Sequence, residues 1–475
     1  MLRSNNADQL AQQVHFNKWM QRYGPLVQRL VVEAFSRDPS LTVVADALMA
    51  SGLAKAHKHA PLQLAGFTTD CLHTPDLLFS LPAASITYLE IGFRARRQDG
   101  LSVLWSGLLA RFTNLCTLKI SIDADSGAAA GSIPNGFLSL LHSLTHLTHL
   151  KLDAGDYTWG SLQTLPQSLR EADLTTTGDC LVDLAHLSCL TSLALNAPHG
   201  FATGSAFPNS LTHLDLQDTP LSRVPVLTKL LSHVQNLSLY YLEEELAELP
   251  AELGVLPSLQ TVKLTCMKYS AAAAGSAAWR SLAQLHGLSI QSVYDDEEDG
   301  DDVGQILTDL AAATSLTSLR LWLTATDRPC GVHLGHLRNL RYLDVTGIHR
   351  SRQDMLHLRS LTQLTKLELA DCILDDGVAF MLISNLTGLR SLVLQNNLHM
   401  TDAVLSAIVV HLRGLEVLEF VVETGLTSAS AVLLSELTEL TALTKLSLGR
   451  IEEEFSAWEW PQLQDLFGDR LHRAW

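Results

Sequence analysis

What the chain lacks narrows its chemistry before anything else does. No apolar run reaches the ~18 residues that a membrane helix needs, and the opening MLRSNNADQLAQQ holds no apolar signal core. Positive charge is scarce: 33 Lys and Arg against 50 Asp and Glu leave a formal charge of −17. That balance argues against nonspecific binding to nucleic acid or to an anionic membrane. The seven cysteines, at positions 71, 116, 180, 189, 266, 330 and 372, include no C-x-x-C pair. An odd number without a framework points to reduced thiols and a cytoplasmic chain, with nuclear or ciliary and cytoskeletal locations also open. There is no Gly-Lys dipeptide, no His-Glu and no G-x-S-x-G. The usual phosphate-loop lysine, H-E-x-x-H zinc helix and nucleophile elbow are therefore missing.

What is present is leucine at a fixed period. Residues 363–420 contain three copies of L-x-x-L-x-L, beginning at Leu364, Leu389 and Leu415, so the periods are 25 and 26 residues. In the first copy Leu367 and Leu369 share one face of a strand, with Glu368 and Ala370 on the other. After Asp375-Asp376-Gly377 the apolar period changes: Val378, Leu382, Leu386 and Leu389 form a helical stripe. Asp375 and Asp376 suit the N-cap and first turn of that helix. The next copy repeats this, with Thr401-Asp402 opening a stripe of Leu405, Ile408, Leu412 and Leu415. Strand, helix and strand in so few residues force the strands to run parallel. One such unit buries too little apolar surface to offset its own ordering, so it must stack on neighbours.

The same frame extends through most of the chain. Starts fall at Val27, His59, Ile86, Leu115, Leu147, Leu169, Leu190, Leu211, Val234, Leu259, Leu285, Leu316, Leu340 and Leu443, which with the first three make 17 rungs. The rungs at Val27 and His59 have the weakest pattern. Spacing of 21–22 residues between Leu147 and Leu211 predicts extended or 3-10 backs instead of full helices. The expected organisation is an N-terminal helical cap over 1–26, a solenoid over 27–451 and a C-terminal capping helix over 452–475. The first cap carries Leu10, Val14, Trp19 and Met20 and ends near Gly24-Pro25; the last carries Leu463, Leu466, Phe467 and Leu471. Insertions interrupt the period at 124–132, 270–278 and 295–302, the last placing seven acids in eight residues, a solvated loop.

Candidate sites lie on the strand positions that burial does not explain. Aromatic and cationic side chains gather in the middle of the outward face: Tyr240, Tyr241, Lys263, Arg320, Trp322 and Tyr342. Tyr, Trp and Arg dominate binding hot spots, so these six are the expected partner-binding residues. His142, His146 and His149 have a spacing that could converge on a metal, but His149 belongs to a strand and the other two to the return, so no metal site is expected. The start of the acidic insertion resembles a calcium loop, yet the position that needs Glu is Ile306. No catalytic residue or cofactor is expected.

The repeated L-x-x-L-x-L resembles leucine-rich repeat proteins over nearly the whole chain, and this resemblance implies a horseshoe with a parallel sheet on the concave face and helices or 3-10 turns on the convex face. LELADCILDDGVAFMLI and LVLQNNLHMTDAVLSAI are similar to the cysteine-containing subtype, with Cys372 and Asn397 at its C/N position and Asp376 and Asp402 at its Asp. That subtype is common in F-box/leucine-rich-repeat proteins, the substrate receptors of cullin–RING ubiquitin ligases, although no F-box is recognisable here. The implied function is a monomeric, noncatalytic scaffold binding a protein partner on its concave face, possible roles being a ubiquitin-ligase substrate receptor or adaptor. A cytoskeletal or ciliary-axoneme component and a GTPase-activating leucine-rich repeat protein are the alternatives.

Overall fold

The computed structural model describes residues 18–20, 22–32, 49–51, 53–58, 62–72, 76–95, 108–124, 135–153, 162–175, 182–196, 205–217, 231–240, 253–254, 256–265, 282–293, 307–326, 331–348, 355–372, 374–397, 400–401, 403–426, 434–451 and 459–473. Each repeat start is followed by one strand, and every strand pairing is parallel. The strands belong to two compact units, one built on Met1–Arg223 and the other on Gln235–Trp475. The first holds β1 (Arg29–Val32), β2 (Gly66–Leu72), β3 (Tyr88–Ala95), β4 (Thr117–Ala124), β5 (His149–Asp153), β6 (Glu171–Thr175), β7 (Ser192–Asn196) and β8 (His213–Gln217). The second holds β9 (Asn236–Tyr240), β10 (Thr261–Thr265), β11 (Gly287–Val293), β12 (Ser318–Thr326), β13 (Tyr342–Ile348), β14 (Lys366–Ala370), β15 (Ser391–Asn397), β16 (Val417–Leu426), β17 (Lys445–Ile451) and β18 (Leu471–Arg473). This is the leucine-rich repeat solenoid architecture.

Alternation decides the faces. In β14 the pattern runs half-buried, buried, half-buried, and Leu367 and Leu369 face the core. Register then lines up equivalent residues: Leu343, Leu367 and Leu392 are cross-strand neighbours, as are Val345, Leu369 and Leu394. Most turns into a strand are stitched to the previous rung by one carbonyl that accepts two amides. Arg390 and Ser391 both donate to the Thr365 carbonyl at 2.8 and 3.0 Å, and Thr365 and Lys366 do the same to Arg341.

The backs differ from rung to rung. Where the period is 22 residues the return is the 3-10 turn Leu162–Thr164, and further on Asp183 and Ala206 form an isolated parallel bridge. Full helices stand behind the rungs that start at Leu364 and Leu389: α1 (Asp376–Asn385) and α2 (Val404–His411), both of whose predicted stripes are buried. The two aspartates at the start of α1 divide the work. Asp375 is the N-cap and accepts from the Val378 amide at 2.8 Å, whereas Asp376 reaches the next rung and accepts from the amide and hydroxyl of Thr401 at 2.7 and 2.8 Å. The second helix starts later than Thr401-Asp402 suggests, because Thr401 Oγ1 takes the Ala403 amide in a local turn and the helix begins at Val404.

At the end of a strand the chain turns inward through a left-handed residue. Gly347, Asp371 and Asn396 occupy equivalent places in three successive rungs, with φ of 85°, 51° and 49°. Glycine has no Cβ to clash there, and Asp and Asn tolerate the region better than other side chains. This turn delivers Cys372 and Asn397 into the core, where Asn397 is fully buried and donates to the Leu369 and Gln395 carbonyls at 3.2 and 3.1 Å. Cys372 Sγ is a weaker donor, 3.3 Å from the Ala370 carbonyl. Asn397→Ala is expected to destabilise by about 1–3 kcal/mol, the cost of buried carbonyls that lose their donor. Asn397→Asp should cost more, since a buried carboxylate has no N–H to give. Urea midpoints check both, and a midpoint unchanged in Asn397→Asp would contradict the donor role.

Four sequence readings change. The second rung is framed by Leu64, not His59: Gly66 pairs with Tyr88, and the motif is L64-A-G-F67-T-T69 with Thr69 buried in place of the third leucine. At the N-terminal cap Met20 is buried but Trp19 is 47% exposed, so Trp19 is not on the inward stripe; Gly24–Leu26 is a 3-10 turn, and Leu10 and Val14 lie outside the described residues. In the last helix, α3 (Glu459–Phe467), Leu463 and Phe467 are buried while Leu466 is 46% exposed. Leu471 is not helical at all: α3 ends before Gly468, at φ 56°, and after a 3-10 turn over Gly468–Arg470 the chain enters β18, an eighteenth strand that pairs with β17. The three insertions fall outside the described residues, apart from Ala124 at the end of β4.

Candidate functional site: the outward sheet face

Register in the second unit brings side chains from distant rungs into rows. Tyr342 stands between Ser318 and Lys366, Arg320 beside Asp344 and then Glu368, and Trp322 beside Thr346 and Ala370. All point to the face opposite the leucines, because each is an odd step along its strand from Leu319 or Leu343. The centre of the arrangement is Asp344, only 3% exposed. Its Oδ2 accepts from Arg320 Nε at 2.6 Å, from the Tyr342 hydroxyl at 3.3 Å and from Trp322 Nε1 at 3.4 Å. Arg320 uses the other side of its fork to donate to the Tyr342 oxygen at 2.7 Å. Its guanidinium carbon lies 5.6 Å from the Trp322 ring centre and 5.8 Å from that of Tyr342, within cation–π range. Lys366 closes the cluster, 4.7 Å from the Tyr342 ring centre and 2.6 Å from Glu368 Oε1.

The electrostatics are those of a charge held under burial. Burial pushes the Asp344 carboxyl above its ordinary value, the Glu368 charge adds to the rise, and Arg320 only partly opposes it. Burial likewise raises the Tyr342 hydroxyl, with Arg320 pulling the other way. Burial works against the charge on Arg320, but its bonds to Tyr342 and Asp344 outweigh that and hold it above the usual guanidinium range. A carboxyl with a raised folded pKa binds its proton more readily in the native state. Its contribution to stability is present below 3.8, the ordinary value, and is lost as pH rises through the raised folded value. Asp344→Asn removes that dependence. Relative to the wild type the variant should gain stability as pH climbs through this window; parallel urea-midpoint curves for the two proteins would contradict the assignment.

A second pair lies on β9 and β10. Lys263 Nζ donates to the Tyr240 hydroxyl at 3.1 Å and sits 4.8 Å from its ring centre. Between this pair and the Asp344 cluster β11 presents Ser289 and Gln291, and Ser289 Oγ and the neighbouring Thr265 Oγ1 have no hydrogen-bond partner among the described residues. Of the six expected contact residues, then, Arg320, Trp322 and Tyr342 form one bonded cluster and Tyr240 with Lys263 another; Tyr241 is outside the described residues. Sequence reasoning passed over Asp344, Lys366 and Glu368 as site residues. Their parity was visible, but the contacts depend on the register between rungs 24 residues apart.

The first unit carries a related group. Tyr88 donates to Glu90 at 2.5 Å, with Arg29 Cζ 4.9 Å and Lys119 Nζ 5.6 Å from its ring centre. Arg29 reaches across β2 because residue 66 is glycine: a Cβ there would stand 3.3 Å from Arg29 Cγ. Elsewhere on this face Lys151 pairs with Asp173 at 2.6 Å and His149 Nε2 faces Glu171 at 3.5 Å. Among the described residues no three His, Cys, Asp or Glu side chains are grouped to hold a metal ion, and no helix is long and apolar enough to cross a membrane.

No family model and no curated protein matches the sequence. Solved structures do. A TLR13–ssRNA13 complex matches at 16% identity and TM-score 0.45, covering 94% of this chain and 65% of the TLR13 chain. The mouse RP105/MD-1 complex matches at 14% identity and TM-score 0.48, covering 88% of this chain and 80% of that one.

Proposed function

We propose that this leucine-rich repeat chain is a noncatalytic interaction scaffold that takes a protein partner on the outward face of β12–β14, around Arg320, Trp322 and Tyr342. The observation that carries the reading is Asp344. A buried carboxylate is costly, and an apolar or small residue would serve the sheet as well. Here it fixes a guanidinium, a phenol and an indole in one geometry while Trp322 stays 42% exposed. A rigid aromatic anchor beside an oriented arginine is how interface hot spots are built. The finer form of the reading is a substrate receptor or adaptor of a ubiquitin ligase. Its support is the cysteine-containing repeat pattern, to which Cys372 and Asn397 bring backbone bonds in consecutive rungs; co-purification lacking both a Skp1-type adaptor and a cullin would remove it.

The test is a photo-reactive amino acid at Thr346, beside Trp322 in the same row. It should cross-link a protein partner in a Trp322-dependent way, while Val410→Ala on the exposed side of α2 changes nothing. Equal cross-linking with and without Trp322 would displace the site from this face.

A further inference from the structure

At the starts of β11–β14 the turns line an open groove of about 630 Å³. Its walls include His286, Thr317, Arg338, Asn339, Arg341 and Gln363, and all nine residues that line it are polar or basic, none of them acidic. In a chain with 50 acids and 33 Lys and Arg, that is a local reversal of sign. Part of the neutral wall is already fixed. Thr317 Oγ1 donates to the His286 carbonyl at 3.2 Å, Asn339 Nδ2 to Thr314 at 2.8 Å and Ser360 Oγ to Gly335 at 2.8 Å. The cations are not. Among the described residues neither the Arg338 nor the Arg341 guanidinium has a hydrogen-bond or ion-pair partner, whereas Arg320, Lys366 and Arg390 each hold a carboxylate.

We infer that this groove binds a phosphomonoester dianion. Two guanidinium groups and no carboxylate match a charge of about −2, and arginine meets phosphate oxygens two at a time. A single carboxylate would balance only one of the two charges. The volume lies within the ~300–1,000 Å³ of small-ligand pockets, room for the group that carries the phosphate as well as the phosphate itself. Thr317, Asn339 and Ser360 each spend a donor on a backbone carbonyl, and the donors that also line the groove include the guanidinium groups of Arg338 and Arg341 and the Gln363 amide.

Calorimetric titration of the full chain at low salt tests this, with four probes: a tripeptide Ala-phosphoserine-Ala, its serine and glutamate counterparts, and inorganic phosphate. The phosphoserine peptide should bind, the serine peptide should not, and the glutamate peptide should be at least tenfold weaker. Arg338→Ala and Arg341→Ala should each weaken the phosphopeptide at least tenfold, and Arg341→Lys should fall between, since it keeps the charge but not the fork. Tighter binding of the phosphopeptide than of phosphate makes a phosphorylated side chain the ligand; equal binding makes it the free ion, and both uphold the site. No binding, equal binding of serine and phosphoserine peptides, equal binding of glutamate, or affinity unchanged in both alanine variants would overturn it. Because both side chains are exposed and have no bonded partner among the described residues, circular dichroism should be unaltered in the variants. Trp322→Ala should leave the titration unchanged, so this inference and the outward-face reading stand or fall separately.

Discussion

Trp322→Ala is expected to weaken capture of the protein partner by about 30-fold or more, the loss that follows from removing a hot-spot residue worth ~2 kcal/mol. The indole is exposed on one side and held on the other by Asp344 and the Arg320 guanidinium, so it is ordered before a partner arrives. Its loss should show chiefly in a faster dissociation rate. Melting should barely move, within about 0.5 kcal/mol, because the residue lies outside the core. Arg320→Lys sharpens the point. Lysine keeps the charge but cannot bond Asp344 and Tyr342 together through one planar fork, so capture should fall although the charge of the face is preserved. Unchanged dissociation in both variants would mean the cluster only braces the sheet.

Phe420→Ala should have the largest effect on stability, about 3–5 kcal/mol. Phe420 is fully buried on β16, between Leu394 of β15 and Leu448 of β17 in the inward row. Neighbouring strands are spaced by backbone hydrogen bonds, so the rungs cannot close over the space a lost ring would leave. The midpoint in urea should fall while the slope of the transition stays the same. Phe420→Leu should cost less, since it restores the side chain used at the equivalent place on both neighbours. An unshifted midpoint in Phe420→Ala would contradict the packing described here.

The fold was legible where leucine fills the motif and much less so where another residue does. Leu364, Leu389 and Leu415 set a frame that each following strand obeys, with β14, β15 and β16 starting two residues later. The rung at β2 was misframed because Thr69 takes a leucine's place and is just as buried. The last strand was hidden because Leu471 stands four residues beyond Phe467, a helical step, although a left-handed glycine and the 3-10 turn Gly468–Arg470 separate the two. For the site, parity along a strand identified Arg320, Trp322 and Tyr342 as outward. It did not identify Asp344 as their common acceptor, which is a property of register between β12 and β13. Tyr88 escaped notice for a similar reason: its partner Arg29 lies two strands away across Gly66. Arg338 and Arg341 sit in turns, where no periodicity says which way a side chain faces.

The central claim is that the face around Arg320, Trp322 and Tyr342 is where a protein partner binds. Quantitative proximity labelling in cells with the wild type, Trp322→Ala and Arg320→Ala tests it most directly, with thermal melts confirming that all three are folded. A defined set of proteins should be labelled by the wild type and depleted at least fivefold in both variants. The same set labelled to the same extent by all three would contradict it.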